Sequence, residues 1–373
     1  MHNRQRPDWL DRGRIPSLDG LRAIAILLVL FAHGSQTHGS PIPGYGSLAL
    51  FTGSIGVEIF FVLSGFLITL LMLREIDRTG RLDVNAFYWR RILRIVPAYL
   101  AYLFVLATLQ WLGIVQLRLG EWVAGLTYTV NFLSEPHWEI GHVWSLSIEE
   151  HFYLIWPAAM ILLPARQRAA SLVACLGICL SVRWITLILF PAWVSMAELW
   201  TFTRLDSIAA GCLMGVLAQD SLWRNRLDRM IQFWPLTLLA LLGSLFACMT
   251  STKILLGAGY SMNSLCLAVL VWTAARKSPN WLNLPWVCNI GVGSYSLYLW
   301  QQIFLNPHVD SWWTAFPLNF AFAGLAAWIS YQYVERPFLR MKERTRTIPN
   351  REIPQELPAV PKASVERETV SSI

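Results

Sequence analysis

Ionisable side chains within apolar segments are the first candidates for chemistry in this sequence. Arg22 and His33 lie eleven residues apart in one apolar run, and about three helical turns bring them to roughly one face. Glu58 opens a second apolar run, and Glu149 and Glu150 lie in a later one. Because a charged group inside a bilayer is costly, residues of this kind mark candidate functional sites.

His33 is suited to proton transfer. An imidazole can take a proton from a hydroxyl near neutral pH and return it to a thiolate leaving group. Glu149 or Glu150 is expected to hold its tautomer, and only one of these two faces the same site easily, because adjacent helical residues diverge by about 100°. The alternative is a hydrogen-bonded packing histidine, with Arg22 extending to the cytoplasmic interface.

Other polar residues of the apolar runs leave further interpretations open. Arg204 and Asp206 are expected to form a structural pair, and Glu58 has the alternative of facing water at a helix end. Ser64 and Ser145 are weaker candidates for a nucleophile that would form a covalent intermediate.

A basic cluster precedes the third apolar run, in the segment FYWRRILRIVPAYL at 87–100. Arg91 and Arg94 are three residues apart on one helix face and could together bind a di- or triphosphate, with Arg90 beside them. The alternative is a membrane anchor of positive and aromatic residues, which is common at the cytoplasmic ends of membrane helices.

The elements that must position these residues are membrane helices. Hydrophobic residues make up 55% of the chain and charged residues only 14%, against roughly 25% charged in soluble domains. A membrane helix needs about 20 mostly apolar residues. We therefore predict an all-α, polytopic membrane bundle of about ten transmembrane helices, at 17–36, 55–73, 93–113, 142–164, 169–190, 199–219, 232–250, 256–275, 290–306 and 315–334. A shorter apolar piece at 121–133 is expected to be interfacial or re-entrant.

The positions of Lys and Arg predict the orientation of this bundle. With ten spans, 22 of the 30 Lys and Arg residues fall on the side of the N-terminus, and only Arg118 and Lys253 fall in the opposite loops. Both termini are therefore expected to be cytoplasmic. We expect no cleaved leader, a cytoplasmic segment at 1–16, a membrane domain at 17–340 and a disordered cytoplasmic tail at 341–373.

Six motifs occur in order over residues 15–340: IPSLDGLRAIAILLVLFAHG, GVEIFFVLSGFLIT, FYWRRILRIVPAY, HVWSLSIEEHFYLIWP, GSYSLYLWQQ and VERPFLR. Together they resemble the membrane-bound acyltransferase-3 family, which includes O-antigen, exopolysaccharide and nodulation-factor O-acetylases. The resemblance covers nearly all of the chain. It implies a ten-helix inner-membrane protein that O-acylates glycans, commonly from acetyl-CoA.

The resemblance also implies which residues form the site. The family's Arg-x10-His pattern, its basic motif and its WSLSxEE motif fall on Arg22, His33, Arg91, Arg94, Trp144, Ser145, Glu149 and Glu150. Two positions depart from the family pattern: Gln301 replaces a His after YSLYLW, and His151 stands where Gln is usual. Gln301 can donate and accept hydrogen bonds but cannot titrate, so a role for a second histidine at that position is not expected.

These observations assign a role to each candidate residue. The residues expected to be catalytic are His33, Glu149, Glu150 and Arg22. The expected phosphate-binding residues for acyl-CoA are Arg90, Arg91 and Arg94. The residues expected to bind the acceptor substrate are Glu58, Trp144, Ser145 and Gln301. No metal is expected.

The function expected from these residues is acyl transfer at the bacterial inner membrane. A cytoplasmic acyl-CoA co-substrate, expected to be acetyl-CoA, would acylate a hydroxyl of a cell-envelope or secreted glycan or a lipid-linked saccharide. Since the net charge of +7 reflects membrane orientation, we expect membrane lipids and no nucleic acid as partners. The alternatives are a secondary transporter or exporter of a glycan or small acid, and an acyltransferase for a small molecule such as a macrolide.

Overall fold

Long apolar runs form the helices that organise this chain. The computed structural model describes residues 14–41 and 46–346, and every regular element within them is a helix. The α-helices are α1 (Pro16–Gly34), α2 (Gly46–Thr79), α3 (Val84–Trp111), α4 (Leu119–Leu126), α5 (Trp138–Gly141), α6 (Val143–Leu162), α7 (Ala165–Leu189), α8 (Val194–Ala197), α9 (Thr201–Leu217), α10 (Ser221–Met230), α11 (Trp234–Thr250), α12 (Thr252–Ile254), α13 (Tyr260–Lys277), α14 (Pro285–Val292), α15 (Ser294–Phe304), α16 (Leu318–Ser330) and α17 (Arg336–Arg346).

Short helical turns of other types connect several of these elements. The 3₁₀ turns are Val130–Phe132, Pro191–Trp193, Ile231–Phe233 and Asn280–Asn283. Two π-helical turns, Leu255–Gly259 and Tyr331–Glu335, continue directly into α13 and α17.

Six helical stretches of the described chain are long and apolar enough to cross a membrane. They are Pro16–Gly34, Thr52–Thr79, Val84–Trp111, Ala165–Leu189, Ser221–Thr250 and Thr252–Lys277. The other four expected spans are helical but do not meet that description. For example, α9 has 17 residues and α16 has 13, and Gly293 separates α14 from α15. The total of ten spans and the cytoplasmic position of both termini stay predictions.

Helices α1 and α2 form the centre of the fold. About 78% of the apolar stretch of α2 is buried, against 11% for the stretch Ser221–Thr250. One apolar cluster joins α1 and α2 to α3, α6 and α15, and a second joins them to α9 and α13. The inner helices therefore carry the residues that can line an enclosed site.

Glycines allow these inner helices to approach closely. A Cβ added to Gly65 of α2 would lie 2.0 Å from the Ile208 carbonyl oxygen of α9, and one added to Gly211 of α9 would lie 2.0 Å from the Val62 carbonyl oxygen of α2. Membrane helices use small residues in this way to bring their backbones into contact. The contact fixes α2, which carries Ser64 into the site described below.

The connection between α3 and α6 is ordered by a buried carboxylate. Glu121 accepts hydrogen bonds from the backbone N–H groups of Arg118 and His137, both at 2.7 Å, and one from the Arg118 guanidinium at 2.9 Å. Burial alone would raise the pKa of Glu121, but these donors lower it to about 2. The piece expected at 121–133 thus begins within a capped helix, α4, and its carboxylate holds the segment that leads to Trp138.

The expected terminal segments lie mostly outside the described residues. Residues 1–13 and 347–373 are not described, nor are 42–45 between α1 and α2. Helix α17 covers the first residues of the expected tail as far as Arg346, the last residue that is described.

We expect Gly211→Val to destabilise the bundle by about 1–3 kcal/mol, because the added side chain would overlap the backbone of α2. Gly243→Val in α11 is the matched control, since no described atom outside its own helix lies within 4 Å of a Cβ added there. Thermal unfolding of the detergent-solubilised protein measures both variants. Equal unfolding midpoints for the two would contradict the close packing of α2 on α9.

Candidate active site

A small cavity between the inner helices collects charged groups from three of them and a serine hydroxyl from a fourth. Its volume is about 80 Å³, several times what one water molecule occupies. Its charged and hydroxyl groups include Arg22 of α1, Ser64 of α2, Arg91 and Arg94 of α3, and Glu149 of α6, and aromatic and aliphatic side chains complete the wall. Three guanidinium groups thus face one carboxylate, so the cavity suits an anionic group or a polarised carbonyl oxygen.

Helical spacing explains why these side chains meet. Arg91 and Arg94 are three residues apart, and Ser145 and Glu149 are four apart, so each pair shares one face of its helix. The Arg91 guanidinium also lies over the Tyr153 ring, 4.9 Å from its centre. This ring contact orients Arg91 at the cavity wall.

Arg90 points elsewhere. Its guanidinium forms an ion pair with Glu75 of α2 at 2.7 Å, and among the described residues it does not line the cavity. Of the three arginines expected to bind phosphate, the structure brings Arg91 and Arg94 to the cavity and places Arg90 outside it.

The two candidate serine nucleophiles have different surroundings. Ser64 Oγ donates a hydrogen bond to Glu149 Oε1 at 2.7 Å. Ser145 Oγ lies 2.6 Å from Tyr298 Oη, which itself donates to the His142 carbonyl oxygen at 2.8 Å. A hydroxyl next to a carboxylate is the arrangement of a nucleophile and its base, so only Ser64 of these two has the partner that this chemistry needs.

His33 lies at the opposite end of α1 from Arg22. Eleven residues at about 1.5 Å per residue separate them by about 16 Å along the helix axis. His33 Nδ1 lies 2.8 Å from Gln301 Oε1 of α15, and the Trp138 ring packs edge-on against the imidazole with 5.3 Å between ring centres.

The prediction that Glu149 or Glu150 is the partner of His33 is therefore wrong. The hydrogen-bond partner in the structure is Gln301, whereas Glu149 bonds to Ser64 at the Arg22 end. Gln301 itself is buried with 0% exposure and, like Glu150, is not among the described residues that line the cavity. The prediction failed because spacing within one helix says nothing about which neighbouring helix meets it, or at which end.

The prediction that Arg204 and Asp206 pair with each other is also wrong. Arg204 Nη2 lies 3.6 Å from Glu58 Oε1, and Asp206 Oδ2 lies 2.8 Å from Arg183 Nη2. Residues two apart on a helix point to different sides, so Arg204 and Asp206 each pair with a residue of another helix. All four side chains are buried.

Glu58 and Trp144, both expected to bind substrate, belong to this neighbouring network. The Arg204 guanidinium lies 5.7 Å from the Trp144 ring centre and 3.6 Å from that of Tyr260. Among the described residues, neither Glu58 nor Trp144 lines the cavity. Of the residues expected to bind substrate, Ser145 does.

Several residues near His33 and the cavity were not singled out from the sequence. His142 is 4% exposed, and its ring contacts Tyr102 and Tyr298, each at 5.4 Å between centres. Its place two residues before Trp144 in the same motif was the available signal. Gln302 likewise follows Gln301 in the motif GSYSLYLWQQ. For Trp138, whose indole N–H donates to the Gln302 main-chain oxygen, the sequence carries no comparable signal.

Comparison with known proteins identifies the class of this chain. Residues 15–333 match the acyltransferase domain of the acyltransferase-3 family. The chain belongs to that family, and six of its described helical stretches are long and apolar enough to cross a membrane. This assignment favours the enzyme over the transporter considered above.

Three relatives are named as O-acetyltransferases. The chain is 29% identical to a putative peptidoglycan O-acetyltransferase, YrhL, of Bacillus subtilis, covering 87% of this chain and 54% of that protein. It is 27% identical to O-acetyltransferase OatA of Staphylococcus aureus strain NCTC 8325 and 26% identical to a putative O-acetyltransferase of strain COL, covering 87% of this chain and 57% of each relative. The chain thus spans little more than half the length of these relatives. No solved structure matches it.

We expect Asp206→Asn to destabilise the protein by about 3 kcal/mol or more, because it leaves the fully buried Arg183 without its counter-charge. Asp228→Asn is the matched control. Asp228 also pairs with an arginine, Arg276, at 2.6 Å, but both side chains are more than a quarter exposed, so a loss below about 1 kcal/mol is expected. Thermal unfolding in detergent compares them, and similar losses would show that burial does not set the strength of these pairs.

Proposed function

We propose that this protein transfers an acyl group, expected to be acetyl, from acyl-CoA on the cytoplasmic side of the inner membrane to a hydroxyl of a cell-envelope glycan. The observation that carries the proposal is the convergence of Arg22, Arg91 and Arg94 on one cavity of an acyltransferase. The names of the relatives, one of them a putative peptidoglycan O-acetyltransferase, support a glycan acceptor.

The donor is assigned to the arginine end of α1. Acyl-CoA is polyanionic, and the planar guanidinium group binds phosphate oxygens in a bidentate manner. Arg91 and Arg94 would hold the phosphates or the adjoining pantetheine, and Arg22 would face the same molecule deeper in the cavity. This places Arg22 with the donor, about 16 Å along α1 from His33.

The acceptor is assigned to the His33 end. The extended pantetheine arm would carry the thioester along α1 toward His33. His33 would take the proton from the glycan hydroxyl as its oxygen attacks the thioester carbonyl carbon. The carbon–sulfur bond then breaks, and the imidazolium returns the proton to the CoA thiolate.

A covalent route through Ser64 is the alternative to direct transfer. Its support is the 2.7 Å hydrogen bond between Ser64 Oγ and Glu149. In that route Ser64 Oγ would attack the thioester carbonyl carbon, Glu149 would take its proton, the carbon–sulfur bond would break and the CoA thiolate would leave with that proton. The acceptor hydroxyl would then attack the acyl-serine carbonyl carbon and give its proton to Glu149, which would return it to Ser64 as the bond to Ser64 breaks. Label retained on the protein in the experiment below would favour this route.

We expect His33→Ala to abolish acyl transfer while the protein still inserts and folds, because the acceptor hydroxyl loses its base. Membranes that contain the wild type or the variant are incubated with radiolabelled acetyl-CoA and isolated envelope glycans. Label in glycan only with the wild type supports the proposal. Full activity of the variant removes His33 as base, and label that enters only a small-molecule fraction favours the macrolide-type alternative.

Arg91→Ala and Arg94→Ala are each expected to raise KM for acetyl-CoA about tenfold or more, because a charge-assisted hydrogen bond to phosphate contributes about 1.5–3 kcal/mol. Arg90→Ala is the matched control, since Arg90 pairs with Glu75 outside the cavity. Initial rates at varied acetyl-CoA measure KM for all three variants. An equal effect of Arg90→Ala would assign the role of these arginines to orientation in the membrane.

A further inference from the structure

We propose that a directional hydrogen-bond chain, from His33 through Gln301 and Gln302 to the main-chain carbonyl of Trp138, sets the tautomer of His33. The chain keeps the proton on Nδ1 and leaves Nε2 free to act as the base. Gln301 and Gln302 are thus positioning residues for the acyl transfer. The inference rests on the proposed function, because it assigns the atom of His33 that takes the proton.

The direction of the chain follows from its last member. The Trp138 carbonyl oxygen can only accept, so the group that contacts it at 2.8 Å is the Gln302 amide nitrogen. The Gln302 amide oxygen therefore faces the other way, where it accepts from the Gln301 amide nitrogen at 2.8 Å. This leaves the Gln301 oxygen toward His33 Nδ1, at 2.8 Å. An amide oxygen can only accept, so Nδ1 must carry the hydrogen.

Reversal of either amide breaks the chain. Rotating Gln302 by 180° would place its oxygen against the Trp138 carbonyl oxygen. Rotating Gln301 would place its oxygen against the Gln302 oxygen. Gln301 is 0% exposed and Gln302 is 3% exposed, so bulk water cannot satisfy the groups left without partners. A buried polar group that loses its hydrogen bond without replacement is costly, so the observed direction is favoured.

Trp138 anchors the chain and also contacts the base. Its indole N–H donates to the Gln302 main-chain oxygen at 2.8 Å, while its ring packs on the His33 imidazole. Trp138 is itself held through its neighbour Glu139, which accepts hydrogen bonds from Tyr102 at its main-chain oxygen and from Asn306 at its carboxylate. The imidazole is therefore oriented from two sides by a single fixed segment.

The chain leaves Nε2 of His33 free, and this nitrogen is the one that can act as the base. Among the described residues, the His33 side chain forms its only hydrogen bond through Nδ1. Nε2 therefore keeps its lone pair for an acceptor hydroxyl. In hydrolase triads a carboxylate fixes the histidine tautomer. Here an uncharged amide does so, and the amide in turn is fixed by the next amide and a main-chain carbonyl.

Substitutions at residue 301 test whether activity needs the hydrogen bond that this side chain accepts from His33 or only a side chain of this size. Gln301→Met keeps the size but cannot accept strongly, so kcat should fall about 10- to 1,000-fold, which is part of the roughly 100- to 10,000-fold that a positioned general base contributes. Gln301→Glu, in the neutral acid form that a buried apolar site favours, keeps a carbonyl oxygen toward Nδ1 and an O–H donor toward the Gln302 oxygen. Its kcat should therefore stay within about tenfold of the wild type. KM for acetyl-CoA should be unchanged in both, because the donor is assigned to the other end of α1. The substrates are radiolabelled acetyl-CoA and isolated peptidoglycan or another glycan that the wild type acylates.

Two controls accompany these variants. Gln332→Met makes the same substitution at a residue whose side chain accepts a hydrogen bond from the exposed Arg336, and it should leave kcat unchanged. Thermal unfolding in detergent shows whether each variant is folded. Where His33→Ala leaves residual activity above background, Gln301→Met in that variant should cause no further loss, because the base that the chain orients is already gone.

The outcomes distinguish the chain from the function on which it rests. Wild-type kcat for Gln301→Met would overturn the chain, and so would an equal loss of kcat for folded Gln301→Glu and Gln301→Met. Either result with an inactive His33→Ala variant would leave the proposed base in place. Full activity of His33→Ala would instead overturn the base, and the tautomer chain with it.

Discussion

A polar group inside an apolar helical bundle must find its partner within the protein, because no lipid chain can supply one. This constraint shapes the interior of the molecule. The carboxylates of Glu58 and Asp206 each lie beside an arginine of another helix. Glu149 bonds to Ser64. Each of these contacts joins two helices, so the polar residues that were candidates for chemistry also define how the helices meet.

Helix α1 is also held by contacts with neighbouring helices, and it carries the two parts of the site at its two ends. Ser17 near its start donates to the Ala274 carbonyl oxygen at 2.8 Å, and a Cβ on Gly291 would lie 1.9 Å from the Asp19 carbonyl oxygen. These contacts hold the first turn of α1 tightly against α13 and α14. Arg22 therefore enters the cavity at one end, and His33 meets α15 at the other. A single fixed helix thus separates the groups suited to an anionic donor from the group suited to a hydroxyl.

The sequence predicted those features that depend on one helix at a time. Helical spacing placed Arg22 and His33 on one helix and paired Arg91 with Arg94 on one face, and the structure has both arrangements. Contacts between helices could not be predicted from the sequence. The sequence predicts the pairs Arg204–Asp206 and His33–Glu149 because their members are near in sequence or complementary in chemistry. In the structure, packing of α2, α7 and α15 provides nearer partners for each of them.

The partner of His33 illustrates why the distinction between amide and carboxylate matters inside a membrane protein. An ionised carboxylate at position 301 would be a further buried charge, and a buried charge without a close counter-charge is strongly destabilising. The described surroundings of Gln301 offer an amide, an imidazole and a main-chain carbonyl but no arginine or lysine in hydrogen-bond contact. An amide fixes the imidazole without that cost, provided that its own orientation is fixed. Gln302 and the Trp138 carbonyl supply this orientation. The tautomer of the base is therefore set by the direction of a neutral chain, and it depends on the fold of the segment between α3 and α6.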